Sequence, residues 1–102
     1  MEYSSLNRNY DEVIARDYGL YPAYPNPFNP NTIIHFEIKE RSLVKIDVYD
    51  MRGQLIDNLV NEVKPKGGHR YTWEPRNLSS GIYFVRLSSN NQNYTQKVSY
   101  IK

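Results

Sequence analysis

The sequence predicts an all-β domain built as an antiparallel sandwich. Three observations carry the prediction. From Thr32 onward apolar residues recur with a period of two, as in strands with one buried face. No segment after residue 20 shows the helical period. Turn-forming Gly, Pro, Asn and Asp interrupt the pattern at roughly ten-residue intervals, which suits the short strands of a sandwich or small barrel. Ten tyrosines also lift the aromatic share to 14%, although the hydrophobic content is only 39%. Tyrosine covers a sheet well while keeping its hydroxyl wet.

The elements follow in order. Pro22, Pro25, Pro27 and Pro30 exclude helix and a central strand from residues 20–31. A short edge strand fits near residues 20–24, with turns at Asn26-Pro27 and Asn29-Pro30. Residues preceding proline are held extended, so the segment is stiff and loses little entropy on ordering. Phe28 is expected to plug one end of the sandwich. In the first regular strand Ile34, Phe36 and Ile38 face opposite to Ile33, His35 and Glu37. Residues 43–50 repeat the pattern, with Val44, Ile46 and Val48 inward and Lys45, Asp47 and Tyr49 outward. Asp50, Met51, Arg52 and Gly53 form a hairpin turn, Gly53 supplying positive φ at its end.

The strand over residues 54–60 is less regular. Strict alternation cannot bury both Ile56 and Leu59, so a bulge is expected near Asp57 and Asn58. Pro65, Lys66, Gly67 and Gly68 break the chain. His69, Tyr71 and Trp73 alternate on the next strand, with Trp73 expected inward against Phe36 and Tyr83. After a second break over residues 75–81, Tyr83, Val85 and Leu87 alternate with Ile82, Phe84 and Arg86. A polar turn over residues 88–93 leads into the closing strand, residues 94–101.

The 102 residues suffice for one core and are too few for two. Thirteen Lys and Arg against 11 Asp and Glu leave a net charge of +2, too weak to indicate nucleic-acid binding. Residues 1–19 carry two basic and four acidic groups; the remainder carries 11 basic and 7 acidic. That first stretch reads as a linker or N-terminal extension, in which Asn9 or Asp11 can cap a turn or two of helix around Val13 and Ile14. The absence of cysteine excludes disulfides, thiolate zinc sites and a cysteine nucleophile. No apolar run nears the roughly 20 residues of a membrane span. Met1, Glu2, Tyr3 and Ser4 do not open a signal peptide, so an exported protein is expected to carry its signal upstream.

No catalytic, cofactor-binding or metal-binding residue is assigned. His35 and His69 occupy alternating strand positions with no evident acid–base partner. Gly-x-Ser-x-Gly, phosphate-loop and His-Glu-x-x-His motifs do not occur. Asp50 beside Gly53 offers one carboxylate, too few oxygen donors for calcium. Tyr71 and Trp73 suit either the core or a sugar-stacking platform. Lys97 and Lys102 flank the last strand, where lysines block edge-to-edge aggregation or form part of a recognition signal.

A series of motifs then stands in order. Tyr24, Pro25, Asn26, Pro27, Phe28, Asn29, Pro30, Asn31 and Thr32 lead into Ile34, His35 and Phe36. Val48, Tyr49 and Asp50 precede Gly53, followed by the apolar pair Ile56 and Leu59. Gly68 and His69 precede Tyr71 and Trp73; Leu78, Ser79, Ser80, Gly81, Ile82, Tyr83 and Phe84 come next. Gln96, Lys97, Val98, Ser99, Tyr100, Ile101 and Lys102 close the series. In this order and spacing, residues 20–102 resemble the C-terminal sorting domains of type IX secretion cargo. That family is related to the immunoglobulin-like domain of the flagellar hook-capping protein. Two positions depart from its pattern. Ile38, Lys39 and Glu40 stand where leucine-proline is usual, and Ser99 and Tyr100 make the last strand less aliphatic.

The resemblance implies an immunoglobulin-like antiparallel β-sandwich of about seven strands over residues 20–102. It implies a non-catalytic signal directing a fused upstream cargo through the periplasm and across the outer membrane, to the medium or the cell surface. The implied partners are the type IX translocon and a sortase-like peptidase. Nucleic acid and direct membrane insertion are not implied. Candidate recognition residues are Tyr94, Lys97, Val98, Ile101 and Lys102, read by strand addition at an exposed last strand. Deleting residues 94–102 is expected to abolish export. Any cleavage is expected around residues 1–19. Tyr24, Pro25, Asn26, Pro27, Phe28, Asn29, Pro30, Thr32, Tyr49, Asp50, Gly53, Trp73, Ser80, Gly81 and Tyr83 are expected to be mainly structural. The alternatives are a carbohydrate-binding or spacer module of an extracellular enzyme, and a hook-cap domain that oligomerises.

Overall fold

The computed structural model describes residues 19–102. The linker and helical turn expected before that point lie outside the described residues. Six strands follow one another: β1 (Thr32–Ile38), β2 (Ser42–Tyr49), β3 (Leu55–Lys64), β4 (Gly67–Trp73), β5 (Gly81–Ser89) and β6 (Gln92–Tyr100). β1 pairs with β4 in one sheet, and the other sheet has the order β3-β2-β5-β6. Every strand pairing is antiparallel. The chain therefore changes sheets after β1, after β3 and after β4, the Greek-key path of an immunoglobulin-like sandwich.

Alternation decides what lies between the sheets. Ile34, Phe36 and Ile38 of β1 are buried, and so are Val44, Ile46 and Val48 of β2. Tyr83, Val85 and Leu87 of β5 join Val98 and Tyr100 of β6 in the same core. A second marker of the fold lies at the start of β5. The Tyr83 hydroxyl donates to the Ser79 carbonyl at 2.7 Å, fastening the strand to the loop before it, as tyrosine corners do in such sandwiches.

The irregular strand is longer than its sequence pattern suggests, running to Lys64 rather than Val60. Its four extra residues follow the register of β2, where Ser42 pairs with Lys64. Register shifts fall between Ile46 and Asp47 and between Val48 and Tyr49, so Leu59 and Ile56 each stand unopposed. There are thus two bulges, one on either side of Asp57 and Asn58. They turn both aliphatic side chains toward the core, where they are half-buried. At the other end of the sheet β6 begins at Gln92, because Asn90 and Asn91 alone make the turn from β5. Their φ values of 51° and 64° fit a two-residue turn with both central positions left-handed, which asparagine tolerates.

The expected edge strand over residues 20–24 is replaced by two isolated bridges, Leu20 to Phe36 and Tyr24 to Ile33. Pro22 lacks the N–H that a continuous ladder needs. The Tyr21 and Tyr24 amides still reach the His35 and Ile33 carbonyls, at 2.9 and 3.2 Å. Past Pro25 the chain leaves the β1 sheet and crosses to the other one, where Phe28 forms a parallel bridge with Tyr100. The proline-rich segment therefore serves as a seventh, discontinuous strand shared between both sheets.

Candidate recognition site

The described part of the proline-rich segment starts beside the last strand. Gly19 is buried, and a Cβ there would lie 2.7 Å from the Tyr94 ring, so glycine allows the contact. Along β6 the side chain of Gln96 holds the segment twice. Its Oε1 accepts the Ala23 amide at 2.8 Å, and its Nε2 donates to the Tyr21 carbonyl at 2.6 Å.

Asn26 comes next. Its Nδ2 donates to the Lys97 carbonyl at 3.1 Å, and its Oδ1 accepts the Ser99 amide at 2.9 Å. One carboxamide thus imitates the backbone of a neighbouring strand. Phe28 then makes true backbone bonds. Its N–H donates to the Ser99 carbonyl at 2.9 Å, and its carbonyl accepts the Ile101 amide at 3.0 Å.

Phe28 is 2% exposed. Its ring stacks on Tyr100 at 5.1 Å and tilts against Trp73 at 5.5 Å, and Trp73 meets the edge of Tyr83 at 6.2 Å. Thr32, fully buried, donates its hydroxyl to the Pro25 carbonyl at 2.7 Å and so keeps a polar group satisfied inside the core. The Lys102 amide is bound by the Ser80 hydroxyl at 2.7 Å, which ties the end of β6 to the loop before β5.

The structure thus gathers part of each sequence-predicted group at one place. Asn26, Phe28, Thr32, Trp73, Ser80 and Tyr83 surround the end of β6 that carries Lys97, Val98, Ile101 and Lys102. Within the latter group the roles divide. Val98 is fully buried and acts through the fold, whereas Lys97, Ile101 and Lys102 are exposed. Tyr94 is half-buried at the opposite end of β6. Tyr24 is 77% exposed, away from the core.

Two expectations need correction. From Gln96 to Ile101 the outer edge of β6 is covered by the proline-rich segment, so it is not an open edge for strand addition. Trp73 packs against Tyr83 as expected, but Phe28 takes the position foreseen for Phe36, whose ring stacks on His69 at 5.5 Å. Sequence reasoning missed Gln96 and Asn26 as the fasteners of the segment. The signal was present as amide side chains in otherwise alternating or turn sequence, but their partners lie 71 to 75 residues away.

The other motif residues have local roles. The Asp50 carboxylate accepts the Arg52 and Gln54 amides at 2.8 and 3.0 Å and pairs with the Arg52 guanidinium at 3.2 Å. The Gln54 amide is the main cause holding its carboxyl below the ordinary value, with Arg52 adding to the effect against desolvation. Gly53 closes the turn at φ 84° and donates to the Asp50 carbonyl at 3.0 Å. His35 stacks on Tyr21 at 4.4 Å, and the His69 Nε2 lies 2.8 Å from the Pro65 carbonyl. Neither ring is joined to a carboxylate among the described residues.

These features define a small antiparallel sandwich whose first segment and last strand are built as one unit. The chain belongs to the secretion system C-terminal sorting domains, the type IX family, whose model matches residues 22–102. It is a family of export signals rather than of catalysts; its members are joined to an upstream cargo and recognised by the type IX machinery. No curated protein sequence matches the chain. Among solved structures, CopC from Methylosinus trichosporium OB3b is similar with a TM-score of 0.44 and 17% identity, over 81% of this chain and 90% of that one.

Proposed function

We propose that residues 20–102 act as the sorting signal of a larger exported protein, with residues 1–19 as the link to it. In this reading the cargo and signal fold in the periplasm, and the type IX translocon takes them across the outer membrane. A sortase-like peptidase then cuts ahead of the sandwich, and the cargo is released or attached to the cell surface. The observation that supports the reading best is the junction of Asn26 and Phe28 with β6. It joins the first and last motifs of the family in one folded unit. Exposed Lys97, Ile101 and Lys102 border that junction and are the residues assigned to recognition. The carbohydrate-binding alternative loses Trp73, which is 2% exposed and has no face to offer a sugar.

The test is a localisation assay. Residues 1–102 are fused behind a signal peptide and a reporter, in a type IX-bearing bacterium and in the same strain with its translocon disabled. Reporter at the surface or in the medium of the first strain, and held in the periplasm of the second, is the expected result. Retention of a folded fusion in both strains overturns the proposal. Deleting residues 94–102 is a poor substitute, because it also removes Val98 and Tyr100 from the core. Lys97→Ala with Ile101→Ala and Lys102→Ala leaves the core intact and is expected to reduce export.

A further inference from the structure

The outward face of the four-stranded sheet departs from the hydrophobic-in, polar-out pattern of a solvated sheet. Across one row Leu55, Tyr49, Phe84 and Lys97 stand side by side on β3, β2, β5 and β6. Ile82 lies two residues before Phe84 on the same face, and it pairs with Ser99. Tyr49, Ile82 and Phe84 are half-buried, whereas Leu55 and Met51 are 55% and 69% exposed. Ile101 shares the outward parity of Lys97 and Ser99, opposite to buried Val98 and Tyr100, and is 53% exposed. A shallow depression opens between Tyr49, Met51, Phe84 and Arg86. Contiguous apolar surface of this kind on a small domain marks a contact site.

Two cations without an ion pair among the described residues stand at its border. Arg86 and Lys97 flank Phe84, and neither forms an ion pair among the described residues. The Asp50 carboxylate is held by Arg52 and Gln54, and Asp47, which stands across from Arg86 without an ion pair to it, accepts the Asn58 amide at 2.6 Å. An apolar centre with unpaired cations at its rim fits a protein surface that is apolar at its centre and carries carboxylates around it.

We infer that this face, centred on Tyr49 and Phe84, is the docking surface through which the export machinery takes the domain. The partner presents an apolar patch ringed by Asp or Glu. The inference rests on the sorting reading and moves its contact from the covered edge of β6 to the sheet face beside it. Lys97 and Ile101, the exposed recognition candidates, belong to that face. Interface energy concentrates in a few central aromatic and arginine side chains, so Phe84, Tyr49 and Arg86 carry most of the contact.

The export assay tests it with three variants of the full fusion. Tyr49→Thr with Phe84→Thr removes the apolar centre and keeps strand propensity. Arg86→Glu with Lys97→Glu reverses the rim without touching the core. Leu43→Thr with Val63→Thr alters a second exposed pair at the far end of the same face. Thermal melting of each purified fusion reports folding. The expected result is export reduced about tenfold or more by both the centre and the rim variants, the effect of losing about 1.4 kcal/mol of contact, with folded protein held in the periplasm. The far-end variant is expected to export normally. Should the centre variant fail to fold, the rim variant decides alone. Normal export of a folded centre or rim variant overturns the docking face and leaves the sorting function standing. Export of the unaltered fusion without the translocon overturns both.

Discussion

The carboxamide of Asn26 accepts the Ser99 amide at 2.9 Å, and its Nδ2 donates to the Lys97 carbonyl at 3.1 Å. A side chain thereby takes the part of a strand along the edge of β6. The bonds are exposed, so water replaces them when they are lost. Asn26→Ala is expected to cost about 1 kcal/mol, read from urea unfolding, and to speed hydrogen exchange at the Ser99 amide above all others on β6. Asn26→Asp keeps the acceptor but sets a carboxylate against the Lys97 carbonyl, and is expected to cost more than the alanine variant. Equal protection of Ser99 in wild type and Asn26→Ala contradicts the arrangement.

Phe28 is the heaviest single contribution of the proline-rich segment. It is buried against Trp73 and Tyr100. Phe28→Ala is expected to cost about 3–5 kcal/mol, the range for an aromatic deleted from a core. Against the roughly 5–15 kcal/mol that holds a typical domain together, this is a large share. Chemical denaturation measures it, and a loss near that of a surface substitution would show that the segment is dispensable to the core.

The turn after β2 makes stability depend on acid. Asp50 titrates below its ordinary value in the folded chain, chiefly because the Gln54 amide bonds to its charged form. A depressed folded value means the carboxylate stabilises the fold at pH above the ordinary value of 3.8. That contribution fades as pH falls through the lower folded value. Glu62 behaves alike, through the Lys64 ammonium 2.7 Å away. Asp50→Asn keeps the turn acceptor and removes the charge. It is expected to melt below wild type at neutral pH, with the gap closing in acid. A gap independent of pH assigns the loss to geometry instead.

Asn91 sits at φ 64° in the turn between β5 and β6. Asn91→Ala is expected to cost about 1–2 kcal/mol, the penalty for an ordinary L-residue in the left-handed region. Asn91→Gly is expected to be neutral or slightly stabilising. Thermal melts of the pair separate backbone strain from loss of the side chain, since backbone strain lowers the melt of the alanine variant alone.

Most of the fold is legible because alternation is local. Val44, Ile46 and Val48 declare their face within five residues, and Asp50 with Gly53 declares the turn. The bulges of β3 are legible for the same reason: Ile56 and Leu59 conflict within one strand. The pairing of the proline-rich segment with β6 is not local. Nothing near Asn26 or Gln96 announces a partner more than seventy residues away. An edge already covered looks like an open one when only its own sequence is read. The apolar outward row escapes notice similarly, since Tyr49, Leu55 and Phe84 each look unremarkable on their own strand and meet only through the register of three pairings.

Gly19 packs on Tyr94 at one end of β6, while the Lys102 amide is tied to Ser80 at the other. The strand between Tyr94 and Ile101 spans about 23 Å at roughly 3.3 Å per residue. The described chain enters beside the Tyr94 end of this strand, and the row of Tyr49 and Phe84 meets β6 at Lys97, near its middle. On the docking proposal, a partner seated on that row lies about 10 Å along the strand, at roughly 3.3 Å per residue, from the end where Gly19 packs on Tyr94.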